Sequence, residues 1–277
     1  MKNKRPIAIL MATFNGETYL TDQIDSILNQ TSDDWTLYIN DDGSNDGTEN
    51  IIQSYSKKHG DKIVILNLFP KGMGAASNFL SMLENIESEY YMFSDQDDVW
   101  SPKKIEKSFK RIKKLEQENE NKPVLVHCDL NVVDKNLNLI FPSFHKFIKD
   151  RPDLFLSFHY LGVINNVCGC TMLFNIEVKK ILPKIKNNNI YHDWWIAIFV
   201  SRYGIISYLN EPLILYRQHG SNSLGAIKAS IFNPFKSVLN FKKAVKHEFD
   251  IIKNLKEIQY GGFLKYLFYR ILFLIKR

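Results

Sequence analysis

The chain has 277 residues, of which 45% are hydrophobic and 13% aromatic, and this composition excludes an intrinsically disordered protein. Its net charge of +6 is unevenly placed: residues 226–277 hold nine Lys and two Arg against three acidic residues, a net +8, which leaves −2 for residues 1–225. A basic block confined to a tail that is also rich in Phe, Leu and Ile favours an anionic membrane over nucleic acid as a partner.

Short apolar runs alternate with helical patterns over the first half of the chain. The run Ile7–Met11 is uninterrupted and predicts a buried strand, and apolar residues at helical spacing over 20–28 then predict an amphipathic helix. The unit repeats, with further strands predicted at 35–39, 63–68 and 90–93 and a helix after each of the first two. Because each crossover between parallel strands requires a helix, the sequence predicts an α/β fold with a mostly parallel sheet and helices on both faces.

Beyond Lys122 the pattern changes, which indicates a second half of the chain. Strands are predicted at 124–127 and 171–174, and a helix is predicted near 191–203. The stretch 141–151 between them follows no regular period and predicts an irregular connection.

The C-terminal segment 262–275 predicts an amphipathic helical extension. Lys265 and Arg270 interrupt its apolar residues, and its length of about 14 residues is too short to span a bilayer. Contact with the membrane surface is one interpretation, and a partner-binding or dimerising helix is the other. Because the chain has only three cysteines and no long apolar stretch at its N-terminus, we expect reduced thiols and a cytoplasmic protein, peripheral on the inner face of the cell membrane.

Three acidic side chains, Asp95, Asp97 and Asp98, follow the strand predicted at 90–93. Ligands of parallel sheets bind beyond the carboxyl ends of the strands, and carboxylate oxygens on such a turn suit Mg²⁺ or Mn²⁺. The alternative is that Asp97 and Asp98 cap the next helix; Asp98 fits that role, but three carboxylates together exceed what a cap requires. The turn therefore predicts a divalent-cation site.

A second acidic turn, Asn40–Thr48, ends the strand predicted at 35–39. One of its carboxylates is placed to accept a hydrogen bond from a nucleobase N–H or a ribose hydroxyl. Standing alone, the segment would fit an ordinary turn rich in Asp, Asn and Gly equally well. Two acidic turns at the ends of successive strands favour a binding site.

Two later segments carry further candidate residues. Asp193 stands beside Trp194 and Trp195 at the start of a predicted helix, where partial burial suits a general base; a helix cap is the competing interpretation. Arg217 and His219 follow an apolar strand and combine a fixed cation with an imidazole, which suits a diphosphate and its metal ion.

Together these residues resemble a known family. The chain is similar to the family 2 glycosyltransferases, inverting enzymes of the GT-A (Rossmann-like) fold, in the segments Ala12–Gly16, Asn40–Ser44, Asp95–Asp98, His192–Trp194 and Gln218–Gly220. The similarity covers about residues 5–225, so it implies a GT-A domain over 1–225 followed by a basic tail at 226–277. Within the domain, it implies a nucleotide-sugar-binding half at 1–122 and an acceptor-binding half at 123–225.

The resemblance also implies roles for individual residues. A nucleotide-sugar site would be formed by Thr13, Asn15, Asp41, Asp42, Asp95, Gly169 and Arg217. Mg²⁺ or Mn²⁺ would be held by Asp95, Asp97 and His219, and the acceptor hydroxyl would be deprotonated by Asp193. Gly169 lies in the segment Val167–Thr171, where a small residue would let the backbone approach the donor sugar; an ordinary strand glycine is the alternative.

Ser94 before the metal motif and His192 before the base depart from the commonest family pattern and resemble its rhamnosyltransferase branch. That branch implies dTDP-L-rhamnose as donor, a glycan or polyprenyl-linked acceptor, and a bacterial surface polysaccharide as product; a UDP-sugar donor is the alternative. A sugar nucleotidyltransferase is disfavoured, because Met11–Glu17 holds no basic residue to stabilise a pyrophosphate leaving group. A noncatalytic membrane adaptor is disfavoured, because every expected carboxylate is present.

Overall fold

The structure, a computed structural model, describes residues 5–68, 70–148, 150–152, 156–183, 191–219 and 259–276. Its first half alternates strands and helices: β1 (Ile7–Thr13), α1 (Leu20–Leu28), β2 (Trp35–Asp41), α2 (Thr48–Lys58), β3 (Ile63–Leu66), α3 (Ala75–Asn85), β4 (Tyr90–Ser94), β5 (Val99–Trp100) and α4 (Lys104–Glu118). The second half comprises β6 (Val124–Val133), β7 (Leu139–Phe141), α5 (Phe144–Phe147), α6 (Phe158–Leu161), a 3₁₀ turn (Gly169–Thr171), β8 (Met172–Asn175), α7 (Ile176–Ile181), α8 (His192–Tyr203), β9 (Ile205–Arg217) and α9 (Gly262–Lys276).

The strands form one twisted sheet in the order β3-β2-β1-β4-β8-β6-β9-β5, with β7 beside β6. The pairs β2–β3, β1–β2, β1–β4 and β6–β9 are parallel, whereas β8 pairs antiparallel with both β4 and β6. The predicted α/β fold is therefore confirmed. Because β8 of the second half lies between β4 and β6, the two predicted halves share one sheet, and a boundary at residue 122 stays a prediction.

Side chains on β1 show why the sheet is covered on both faces. Ala8 and Leu10 pack in the cluster that includes α3 and α8, whereas Ile7, Ile9 and Met11 pack in the cluster that includes α1 and α4. All five are at most 1% exposed, as expected for a strand that alternates between two covered faces. Burial of each large apolar side chain stabilises the fold by about 1.5–3 kcal/mol.

The strand order reverses between β1 and β4, which lie side by side and run parallel. The turns that follow β1, β2 and β4 leave the same edge of the sheet, because the three strands share one direction. Such a reversal point opens a crevice beyond the carboxyl ends of the strands. The acidic turns predicted from the sequence lie at this edge.

The C-terminal helix α9 confirms the predicted helical extension and packs against α6. Its buried side chains are Tyr266 and Phe273. The part of the tail at 226–258, which holds most of its lysines, lies outside the described residues. Among the helices that the structure describes, none has the combined length and apolar character required to cross a bilayer.

Candidate active site

Thr13, at the end of β1, and Asp41, at the end of β2, join the first two turns. The Thr13 hydroxyl donates to Asp41 Oδ1 over 2.9 Å. Asp41 also accepts hydrogen bonds from the backbone N–H groups of Gly43 and Ser44, at 3.0 and 2.8 Å, and from the Ser44 hydroxyl. Both Thr13 and Asp41 are buried, so their hydrogen bonds hold the turn after β2 in place from the protein interior.

Asn15 and Asp42 hold the neighbouring loops in place. Asn15 adopts the left-handed conformation, with φ 48°, and its side-chain oxygen accepts the N–H of Asn45 over 2.9 Å. The carboxylate of Asp42 accepts the N–H groups of Met73 and Gly74, at 3.1 and 2.8 Å, from the loop that enters α3. The structure therefore brings Asn15 and Asp42 to the same crevice, and their contact with a nucleoside stays a prediction.

Gln96 connects the turn after β4 to the turn after β1, a contact that sequence reasoning missed. Its side-chain oxygen accepts the N–H of Phe14, and its side-chain nitrogen donates to the Phe14 carbonyl, each over 2.9 Å. A Cβ atom on Gly16 would lie 2.4 Å from the same side-chain oxygen, so a larger residue there would displace the Gln96 amide from these two bonds. The amide between two aspartates was the only local signal for this role.

Replacing Gln96 with Ala is expected to weaken donor binding by up to about 30-fold, because two hydrogen bonds of roughly 1 kcal/mol each would be lost between the loops. Gln96→Glu should have a smaller effect, since a carboxylate can still accept from Phe14 N–H. Titration calorimetry with a nucleotide sugar measures the change. The exposed Gln117→Ala on α4 is the matched control, and equal affinities for Gln96→Ala and Gln117→Ala would refute the role.

The acidic turn after β4 fits a divalent cation. One ligand atom each from Asp95, Asp98 and Cys170 lies within 4.8 Å of the others, and Asp98 Oδ2 is buried with no hydrogen-bond partner in the described part of the chain. Hard cations prefer the carboxylate oxygens. Burial and the neighbouring carboxylates raise the pKa of the Cys170 thiol well above its usual range, which disfavours the thiolate form.

Electrostatic repulsion among the carboxylates of the turn also favours a bound cation. Burial, followed by the charges of Asp97 and Asp193, raises the pKa of Asp95 to about 7. Burial and the charges of Asp97 and Asp95 raise the pKa of Asp98 well above its ordinary value. A cation bound among these carboxylates would relieve the repulsion and favour their ionised forms.

Asp97 and His219 lie in contact, as the predicted metal site requires. His219 Nε2 is 2.7 Å from Asp97 Oδ2, and the His219 ring is 4.8 Å from the ring of Tyr19. Gly220, the last residue of the predicted segment Gln218–Gly220, lies outside the described residues.

Asp98 does not cap the next helix, so the capping interpretation is wrong. Helix α4 begins at Lys104, and Asp98 Oδ1 accepts the backbone N–H of Arg217 instead.

Arg217 is buried beneath the acidic turn, and its contact with the donor stays a prediction. Its side chain is only 3% exposed. The guanidinium donates to the carbonyls of Asp97 and Lys135, over 2.9 and 2.7 Å, and to the Asp22 carboxylate over 2.8 Å. These bonds fix the acidic turn to α1 and to the loop after β6.

Arg217→Met is therefore expected to lower the free energy of unfolding by at least about 2 kcal/mol, because hydrogen bonds of a charged group contribute about 1.5–3 kcal/mol each. Arg217→Lys keeps the charge but not the planar fork of donors, so an intermediate loss is expected. Chemical denaturation measures both. A wild-type unfolding curve for Arg217→Met would rule out this structural role.

Asp193 lies in the first turn of α8, partly exposed, with both carboxylate oxygens oriented. Oδ1 accepts the N–H of Trp194 over 2.6 Å and the side-chain amide of Asn165 over 3.2 Å, and Oδ2 accepts the N–H of Gly169 over 3.1 Å. The N-cap residue of α8 is Tyr191, so Asp193 does not cap the helix, and its role as a base stays a prediction. Asn165 was missed, because nothing in its neighbouring sequence marks it.

Gly169 and His192 allow this arrangement. A Cβ atom on Gly169 would lie 2.9 Å from His192 Nε2 and 3.4 Å from the Cβ of Asp193. The described contact of Gly169 is thus with α8, and approach to a donor sugar stays a prediction. His192 packs against Phe79 and Phe93, and burial lowers its pKa, so its imidazole is a neutral packing group.

Comparison with known proteins gives a consistent result. The family model for Glycosyl transferase family 2 matches residues 8–182, more than half of the chain. The chain is 31% identical over 227 residues to the dTDP-rhamnosyl transferase RfbG of Shigella flexneri, and the match covers 78% of this chain and 74% of RfbG.

Two solved structures share the fold. S. aureus TarS 1–349 in complex with UDP-GlcNAc superposes with a TM-score of 0.55 at 16% identity, covering 82% of this chain and 61% of that one. Mannosyltransferase PcManGT from Pyrobaculum calidifontis, in complex with GDP-Man and Mn²⁺, superposes with a TM-score of 0.59 at 13% identity, covering 80% and 59%. The chain thus spans about three fifths of the length of each, and at these identities the likeness concerns the fold alone.

Proposed function

Because the chain belongs to glycosyltransferase family 2 and has the GT-A fold, we propose that it transfers a sugar from a nucleoside diphosphate donor to a hydroxyl group, with inversion of configuration. The observation that carries the proposal is that Asp193 lies beside the acidic turn. Asp193 accepts the N–H of Gly169, and the sulfur of the next residue, Cys170, lies within 4.8 Å of carboxylate oxygens of Asp95 and Asp98. A donor bound at the turn would therefore lie beside Asp193.

In the proposed reaction, Asp193 accepts the proton of the acceptor hydroxyl as that oxygen attacks the anomeric carbon. The bond from the anomeric carbon to the diphosphate oxygen breaks on the opposite face, and the nucleoside diphosphate leaves with the bonding electrons. Asn165 and Gly169 hold the carboxylate of Asp193 in orientation through their N–H groups. A positioned base of this kind contributes about 10²- to 10⁴-fold to the rate.

The acidic turn would hold Mg²⁺ or Mn²⁺ through Asp95, Asp97 and Asp98, with His219 beside Asp97. When bound, the ion supplies stabilisation of the negative charge that develops on the departing diphosphate. PcManGT was solved with GDP-Man and Mn²⁺, which supports the assignment. Arg217 fixes the turn through the carbonyl of Asp97, and Gln96 fixes it through the carbonyl of Phe14.

The donor that we propose is dTDP-L-rhamnose, on the basis of the match to RfbG. The product would then be part of a bacterial surface polysaccharide, built on a glycan or polyprenyl-linked acceptor. A UDP-sugar is the second candidate, because TarS shares the fold and was solved with UDP-GlcNAc.

Thermal unfolding in the presence of Mn²⁺ tests the donor assignment. A ligand at about 100 times its Kd stabilises the folded protein by about 2.7 kcal/mol, which raises Tm by several degrees. We expect dTDP-L-rhamnose to raise Tm more than UDP-GlcNAc or GDP-mannose, and chelation of the metal to remove the shift. A larger Tm shift with UDP-GlcNAc than with dTDP-L-rhamnose would make a UDP-sugar the donor. The absence of a Tm shift with every nucleotide sugar would contradict the proposed function.

A further inference from the structure

Helix α9 presents an apolar face that the described part of the protein does not cover. Its exposed apolar side chains are Phe263, Leu264, Leu267, Phe268, Ile271, Leu274 and Ile275. At 100° per residue they fall within an arc of about 140° on one side of the helix. Leu264 is 80% exposed and Ile275 is 74% exposed, so the face points fully away from the domain.

The opposite face anchors the helix to the domain. Tyr266 and Phe273 are buried, and the ring of Tyr269 stacks on His159 of α6 at 4.6 Å. The guanidinium of Arg270 donates to the carbonyl of Val163. The exposed face is therefore held in a fixed direction by contacts on the other side of the same helix.

The charge of the segment identifies the partner. Residues 262–276 contain Lys265, Arg270 and Lys276 and no acidic residue, and the whole of 226–277 carries a net +8. A second copy of this chain would bring two such segments together, and the repulsion of like charges opposes that contact. An anionic lipid surface offers both an apolar interior for the exposed face and negative head groups for the basic residues.

We propose that α9 docks the protein on an anionic lipid bilayer, with the exposed face inserted into the interface. A helix of 15 residues is about 22 Å long, which is less than the apolar thickness of a bilayer, so α9 lies along the surface. Amphipathic helices with basic flanks bind membranes in this way.

The loop that α9 contacts through Arg270 also carries Asn165, which binds the proposed base Asp193. Val163, which accepts the hydrogen bond from Arg270, is two residues before Asn165, whose amide holds Asp193. A Cβ atom on Gly162 would lie 2.1 Å from the ring of Tyr260, so this loop packs tightly against the segment that enters α9. Given the proposed function, the docked helix presents Asp193 near the bilayer surface, which suits an acceptor carried by a lipid.

Sedimentation of the full-length chain with vesicles tests the proposal without any substrate. We expect binding to vesicles of mixed phosphatidylglycerol and phosphatidylcholine, and much weaker binding to phosphatidylcholine alone. The triple variant Leu264→Gln, Phe268→Gln and Leu274→Gln should bind the mixed vesicles at least about 10-fold more weakly, because each side chain loses its transfer from water to lipid. The control variant Leu139→Gln, Ile140→Gln removes two other exposed apolar side chains on β7 and should bind like wild type.

Two further readouts make the outcome decisive. Stabilisation of the triple variant by a nucleotide sugar should equal that of wild type, so a failure of the donor assignment is separate from a failure of membrane docking. Equal binding of the triple variant and wild type to the mixed vesicles would overturn the proposal. A wild-type dimer in solution that the triple variant converts to a monomer, with vesicle binding unchanged, would show instead that the face binds a second copy.

Discussion

Asp193→Asn is expected to reduce sugar transfer by about 10²- to 10⁴-fold, the contribution of a positioned general base, while donor affinity stays nearly unchanged. The asparagine has almost the same shape and can keep, at its one oxygen, either the bond from Asn165 or the bond from Gly169, but it cannot take up the acceptor proton. Steady-state kinetics measures the loss, and calorimetry measures donor binding.

A matched control for this variant is Glu49→Gln, which removes an exposed carboxylate from the first turn of another helix, α2. Its turnover should equal that of wild type. Wild-type turnover in Asp193→Asn would eliminate Asp193 as the base. Loss of donor binding together with turnover would indicate that the substitution disturbs the site as a whole.

Asp95→Asn is expected to abolish metal-dependent donor binding and yet to stabilise the metal-free protein. The folded pKa of Asp95, about 7, lies above its ordinary value of 3.8, so ionised Asp95 destabilises the folded state above pH 7. As pH falls from 7 towards 4, the folded chain binds a proton first and the penalty disappears. The variant should therefore unfold at a higher Tm than wild type near pH 8 and at a similar Tm near pH 4.

The size of this shift is expected to be several degrees near pH 8, since about 1 kcal/mol corresponds to roughly 2–4 °C for a chain of this length. Added Mn²⁺ should raise the Tm of wild type but have little effect on that of Asp95→Asn. The control Asp134→Asn concerns a carboxylate whose pKa is lowered by hydrogen bonds from Asn138, so no stabilisation is expected there. A lower Tm for Asp95→Asn near pH 8 would mean that the carboxylates do not repel one another.

The hydrophobic pattern of the sequence predicted individual strands and helices of this fold. The strand at Ile7 is uninterruptedly apolar because both faces of β1 are covered, and the helix at Asp193 begins where the polar residues give way to tryptophans. The order of the strands was out of reach, because β8 enters the sheet between β4 and β6 through contacts that no period in the sequence encodes. The acidic turns, in contrast, could be predicted from the sequence, because ligands bind beyond the carboxyl ends of parallel strands and those turns follow the strands directly.

Roles that depend on distant partners cannot be read from a local pattern. The sequence neighbours of Arg217 predict contact with a diphosphate, which stays a prediction, whereas its bonds to Asp22, 195 residues away in the chain, and to Asp97, 120 away, have no local signal. The helix that follows Asp98 predicts a cap, but Oδ1 of Asp98 accepts the backbone N–H of Arg217 in β9 instead. Neither burial of a cation nor pairing across the sheet has a local signature.

Product analysis by phosphorus NMR tests most directly whether Asp193 and the acidic turn act on one nucleoside diphosphate sugar. The wild-type protein would be incubated with dTDP-L-rhamnose and Mn²⁺, with water as a slow acceptor, beside Asp193→Asn. We predict release of dTDP by the wild-type protein, without pyrophosphate, and a greatly reduced rate in the variant. Release of pyrophosphate or of dTMP, or equal rates for the two proteins, would contradict transfer of a sugar at this site.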